Sequence, residues 1–92
     1  MLKVFAFLPT EILGEDLRQL WARFNKKLHE NYKNAWIMST YTGEGSLDVA
    51  DIVVFLYEFK DHESVKIAVQ KCKDLNITYN FYKGFYSPDE VQ

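Results

Sequence analysis

Apolar positions between Asp51 and Phe59 alternate with the period of an extended chain. Ile52, Val54 and Leu56 fall on one side, and Val53, Phe55, Tyr57 and Phe59 on the other. One side is aliphatic and the other largely aromatic, so this strand should be covered on both faces along its middle. Leu2 to Leu8 repeats the asymmetry, with Val4, Ala6 and Leu8 opposed to Phe5 and Phe7, and Pro9 closes the run. Between Glu15 and Tyr32 the period lengthens. Leu17, Leu20, Trp21, Phe24 and Leu28 form one stripe of a helix, with Glu15 and Asp16 at the end that favours anions and Lys26 and Lys27 towards the end that favours cations. Thr10 is a candidate cap for an earlier start, which would place Gly14 inside the helix at a cost of about 1 kcal/mol.

Ala35 to Tyr41 predicts a second strand that stops in Thr42-Gly43-Glu44-Gly45-Ser46. After Phe59, Asp61 is the expected N-cap of a second helix whose apolar stripe is Val65, Ala68, Val69, Cys72 and Leu75, ended by Asn76. Thr78 to Tyr82 predicts a fourth strand, and residues 83–92 an aromatic then acidic tail of a single domain spanning 1–92.

The order is strand, helix, strand, strand, helix, strand. If the second strand ends at Tyr41 and the third begins between Leu47 and Asp51, roughly five to nine residues join them, fewer than the dozen a parallel crossover usually needs. The expected fold is therefore α+β: a ferredoxin-like βαββαβ sandwich with a hairpin at Gly43–Ser46 and two helices on the aliphatic face of a four-stranded antiparallel sheet. The alternative is a small doubly wound parallel α/β sheet. In the first arrangement Phe5, Phe7, Phe55, Tyr57 and either Tyr79 or Phe81 are left on an open aromatic face, which needs a cover. A second copy of the chain packing sheet to sheet would supply one, as would a protein partner or a small ligand. With Trp36 and Phe59 these residues make up the expected binding or dimer surface.

Composition narrows the partners. The 92 residues are 48% hydrophobic and 16% aromatic, which excludes a disordered chain. Eleven Lys+Arg against thirteen Asp+Glu give a net charge of −2, which disfavours a broad nucleic-acid footprint. Single-stranded RNA stacking on the aromatic face is disfavoured too, because Asp51-Ile-Val-Val-Phe-Leu lacks the leading cation and glycine of the RNA-recognition strand. Cys72 is the sole cysteine, so no intramolecular disulfide or multi-cysteine metal site is expected, in keeping with a reducing, cytoplasmic setting. The Leu2–Leu8 run is too short for a signal sequence or a membrane span. No cofactor and no metal are expected.

The apolar strand ending in Glu58-Phe59, followed by Lys60-Asp61-His62-Glu63-Ser64 opening a helix, resembles the second half of dimeric α+β barrel proteins, the superfamily of cofactor-free monooxygenases and small isomerases. That resemblance implies a homodimer and a barrel pocket lined by aromatic and sometimes His residues. Ala50-Asp51-Ile52-Val53-Val54-Phe55-Leu56 is also similar to the central strand of nucleoside deoxyribosyltransferase-like proteins. This implies instead a parallel sheet and a nucleophilic Glu on the following helix, where Ala68 stands in this chain.

Other candidate chemistry is sparse. Asp48 with Asp51, and Glu58, Asp61 and Glu63, are carboxylate clusters of the kind that serve loop solvation and helix capping more often than acid–base work. Gly43-Glu44-Gly45 lacks the third glycine of a phosphate loop. His62 and Tyr57 are the candidate catalytic residues, and Trp36 the third polar group that an enzymatic pocket would gather. The expected role is a small homodimeric binding or regulatory protein rather than an enzyme. The alternatives are a cofactor-free barrel enzyme or a binder of a nucleotide-derived small molecule.

Overall fold

The computed structural model describes residues 1–9, 11 and 14–83. Along the chain run β1 (Lys3–Phe7), α1 (Gly14–Asn31), β2 (Trp36–Ser39), a 3-10 turn (Leu47–Val49), β3 (Ile52–Leu56), a second 3-10 turn (Tyr57–Phe59), α2 (Glu63–Asp74) and β4 (Thr78–Tyr82). The Thr10 cap and the tail beyond Lys83 lie outside the described residues.

The sheet is parallel throughout, in the order β2-β1-β3-β4. This is an α/β fold, and it overturns the antiparallel ferredoxin-like sandwich expected from the element order. The error lies in one strand boundary. β2 ends at Ser39, two residues before Tyr41, so positions 40 to 51 leave twelve residues for the connection, enough for a parallel crossover. The glycines do not turn β2 into β3. Gly43, at φ 73°, donates its N–H to the Ser39 carbonyl at 3.1 Å, and Glu44 forms a lone antiparallel bridge with Ser39. The loop folds back on the end of β2, and the chain then passes through the Leu47–Val49 turn to reach the far side of β1. At arrival, the Asp51 N–H donates to the Lys3 carbonyl at 2.9 Å and the Lys3 N–H to Asp51 Oδ2 at 2.8 Å, fixing the register of β1 against β3.

The helices occupy opposite faces, which corrects the expectation that they share one. β1 to β2 and β3 to β4 are steps in opposite directions across the sheet, and right-handed crossovers made in opposite directions deposit their helices on opposite sides. Phe24 and Leu28 of α1 pack on the aliphatic positions Val4, Ala6, Leu8, Val54 and Leu56. Val65, Ala68 and Cys72 of α2 pack on Phe5, Val53 and Phe55, with Phe7, Tyr79 and Phe81 at the margin. The aromatic face therefore has its cover within the chain, over β3 and β4. The periodicity of both helices is realised except at Leu75, which caps α2 and is 47% exposed. Asn76 takes the left-handed conformation expected of it, with φ 57°. No described helix is long and apolar enough to cross a membrane.

Candidate functional site

In a parallel sheet every strand delivers the chain to the same edge, and ligand sites collect where neighbouring connections diverge. Here that point lies between β1, whose chain turns to α1, and β3, whose chain turns to α2. His62 and Glu11 face each other across it, with Nε2 3.9 Å from Oε2. The ends of β1 and β2 are clamped beside it. Thr40 Oγ1 accepts from the Leu8 N–H at 2.8 Å and donates to the Leu8 carbonyl at 2.9 Å.

A cleft of about 320 Å³ opens on the α2 side of this crevice. Its floor is the aromatic face of β1, with Phe5 buried and Phe7 half-buried. One wall is a stripe of α2 at i, i+3, i+4 and i+7, namely Ser64, Ile67, Ala68 and Lys71, and Leu47 closes the other side. The cleft exists because the β2-to-β3 connection covers this face with only a three-residue 3-10 turn, where a doubly wound sheet usually carries a helix. Ile67 on this wall is 63% exposed. Among the described residues the lining groups are apolar apart from the Ser64 hydroxyl and the Lys71 ammonium. Such a surface can hold a flat apolar body and fix one anionic substituent, and it presents no carboxylate or imidazole for proton transfer.

His62 belongs to the rim, where it caps α2. Its Nδ1 accepts from the Ser64 N–H at 3.2 Å and lies 2.8 Å from Ser64 Oγ. With Nδ1 accepting from the backbone, the ring proton sits on Nε2, towards Glu11. The 3.9 Å gap to that carboxylate is beyond hydrogen bonding, so serine, imidazole and carboxylate do not form a relay. The cap is one residue later than the Asp61 expected from sequence; Asp61 instead accepts from Lys60 Nζ at 3.1 Å. His62→Ala is expected to cost about 1 kcal/mol of folding stability by urea denaturation, the usual loss on removing a cap, with ligand affinity in the cleft unchanged. A loss of affinity at unchanged stability would give the imidazole a direct role.

The three polar groups named for an enzymatic pocket do not converge. Tyr57 and His62 follow β3 at the carboxyl edge, whereas Trp36 opens β2 at the amino edge, where its backbone N–H donates to the Leu2 carbonyl at 2.8 Å. Tyr57 is taken up by cations: Lys83 Nζ lies 4.1 Å and Lys60 Nζ 5.5 Å from its ring centroid. Of the expected binding residues, Phe5 and Phe7 line the cleft. Phe55 is fully buried, Phe81 stacks on it with centroids 5.3 Å apart, and Phe59 wedges between the two core layers.

The carboxylate clusters are structural in part. Asp51 serves the strand register, and hydrogen bonding from Ser46, chiefly, holds the Asp48 carboxyl below its ordinary range. Glu58 Oε2 is buried with no hydrogen-bond partner among the described residues, which leaves one acceptor at the carboxyl edge desolvated. Cys72 is fully buried, and burial pushes its thiol up, so it serves as a core residue and a poor nucleophile. No cluster of three metal-binding side chains occurs among the described residues.

Ser64, Ile67 and Lys71 escaped the sequence reading. Their helical spacing is visible in the chain, but they flank the core stripe, and nothing local marks that flank as facing a cleft. No family model matches this chain, and no curated protein or solved structure matches it significantly.

Proposed function

We propose that this protein binds a nucleotide-derived small molecule in the cleft above Phe5 and Phe7 without transforming it. The observation that carries this reading is the cleft itself, placed on the carboxyl half of β1 at the divergence of the β1 and β3 connections. Its volume is near the lower end for ligand sites. An apolar ring system would lie between the phenylalanine floor and Ile67, and an acidic substituent would reach Lys71. The parallel sheet also favours the resemblance to nucleoside deoxyribosyltransferase-like proteins over the barrel resemblance. Ala68, standing where that comparison puts a nucleophilic Glu, lies on the cleft wall. A methyl group there offers shape and no chemistry, which supports binding over catalysis.

Thermal unfolding in the presence of nucleosides and nucleoside monophosphates tests the reading. At a hundred times its Kd a ligand contributes about 2.7 kcal/mol, a rise in Tm of roughly 10–20 °C for a domain of this size. At least one monophosphate should reach this range. Lys71→Ala should erase its advantage over the parent nucleoside, and Ile67→Trp, at an exposed position on the cleft wall, should abolish the shift by filling the cleft. A panel without effect on the wild type, or a shift that survives Ile67→Trp, would refute the assignment.

A further inference from the structure

β4 is the outer strand beyond β3, and among the described residues nothing pairs with its free edge. Thr78-Tyr79-Asn80-Phe81-Tyr82 has no charge, no proline and no bulge, the features by which exposed edges usually avoid pairing. Thr78 and Asn80 are exposed, and Tyr79, Phe81 and Tyr82 are half-buried, so aromatic surface lies along the rim of the sheet. The opposite edge differs: β2 has four residues, and its end is engaged by the Ser39–Glu44 bridge.

The strand is also complementary to itself. Antiparallel pairing about a two-fold axis through Asn80 would set Asn80 opposite Asn80 of the second copy, Tyr79 opposite Phe81, and Thr78 opposite Tyr82. Because directly opposed residues share a face, the Tyr79–Phe81 pairs would extend the ring cluster already built by Phe55, Tyr79 and Phe81. The Asn80 amides would meet on the side of Thr78 and Tyr82, where each can donate and accept.

We infer that two copies of the chain join along β4 into one continuous eight-stranded sheet, an isologous interface. It rests on the strand edge and is independent of the ligand assigned to the cleft.

Light scattering on the full chain should give twice the 10.9 kDa chain mass. Asn80→Lys sets two like charges opposite each other at an exposed position and should yield a folded monomer. Asn80→Cys should crosslink under mild oxidation, since directly opposed Cβ atoms lie about 4.5–5.5 Å apart, while Lys73→Cys at the exposed end of α2 should not. A monomeric wild type at concentrations of tens of micromolar would overturn the interface. So would a dimer that persists in Asn80→Lys, or one that Asn80→Cys leaves uncrosslinked, since its contact would then lie elsewhere. Should Asn80→Lys fail to fold, the crosslink decides alone.

Discussion

Phe55→Ala is expected to lower the unfolding free energy by about 3–5 kcal/mol, the usual cost of removing a buried ring. Phe55 has no exposed surface, and its ring meets Phe81, Phe7 and Tyr79 at centroid distances of 5.3, 5.6 and 6.2 Å. It sits on a central strand under α2, in the same buried cluster as Val53, Val65, Ala68 and Cys72. A 92-residue domain is stable by roughly 5–14 kcal/mol, so the truncation removes a large fraction of the total. Circular dichroism in urea should show the midpoint shifted strongly down. The same experiment decides whether the aromatic face is a core or an interface. On an interface, truncating the ring would dissociate a dimer and leave folded monomers of near-normal stability.

A paired comparison at the glycines has the second large effect. Gly43 and Gly45 hold φ values of 73° and 68°, so alanine carries a similar left-handed strain at either site. Their surroundings differ. Around Gly43 an added Cβ meets nothing within 4 Å, whereas at Gly45 it would fall onto Met38 Sδ and lie 2.7 Å from Met38 Cγ. Met38 is fully buried in the layer beneath α2, so the thioether must be driven into packed neighbours. Overpacking of this kind costs about 1–3 kcal/mol beyond the backbone strain. Gly45→Ala should therefore melt roughly 5–20 °C below Gly43→Ala. Equal melting points would mean that Gly45 is chosen for its turn alone and that the loop does not press on the core.

These outcomes bear on function because both sites shape the cleft. Phe55 packs against Phe7, which forms part of its floor, and the Gly45 approach to Met38 precedes the turn carrying Leu47. A variant that loosens either element should weaken ligand binding along with folding. Lys71→Ala, on an exposed position of α2, should alter binding alone.

What this sequence determines by itself is local. The alternation in β1 and β3 and the helical stripes of α1 and α2 are properties of neighbouring residues, so the elements and their two-sided character can be read from spacing. The burial of Phe5 and Phe55 on one face and of Val4, Val54 and Leu56 on the other follows from the same parity. Strand direction is not local: apolar side chains on an extended segment pack equally well in a parallel or an antiparallel ladder, and only the connection discriminates. Here that connection stood at the threshold, and the difference between ending β2 at Tyr41 or at Ser39 separated a hairpin from a crossover. Once β4 joins the sheet beyond β3, on the side away from β2, a right-handed crossover places α2 over the aromatic face, and the short Leu47–Val49 crossing leaves a gap beside it. Phe5 and Phe7, which line the cleft, could be singled out in advance as candidates because large aromatic side chains announce themselves. Ser64, Ile67 and Lys71 could not, because their role depends on which face α2 covers and on what the crossing leaves bare, and both are decided by pairings between residues far apart in the chain.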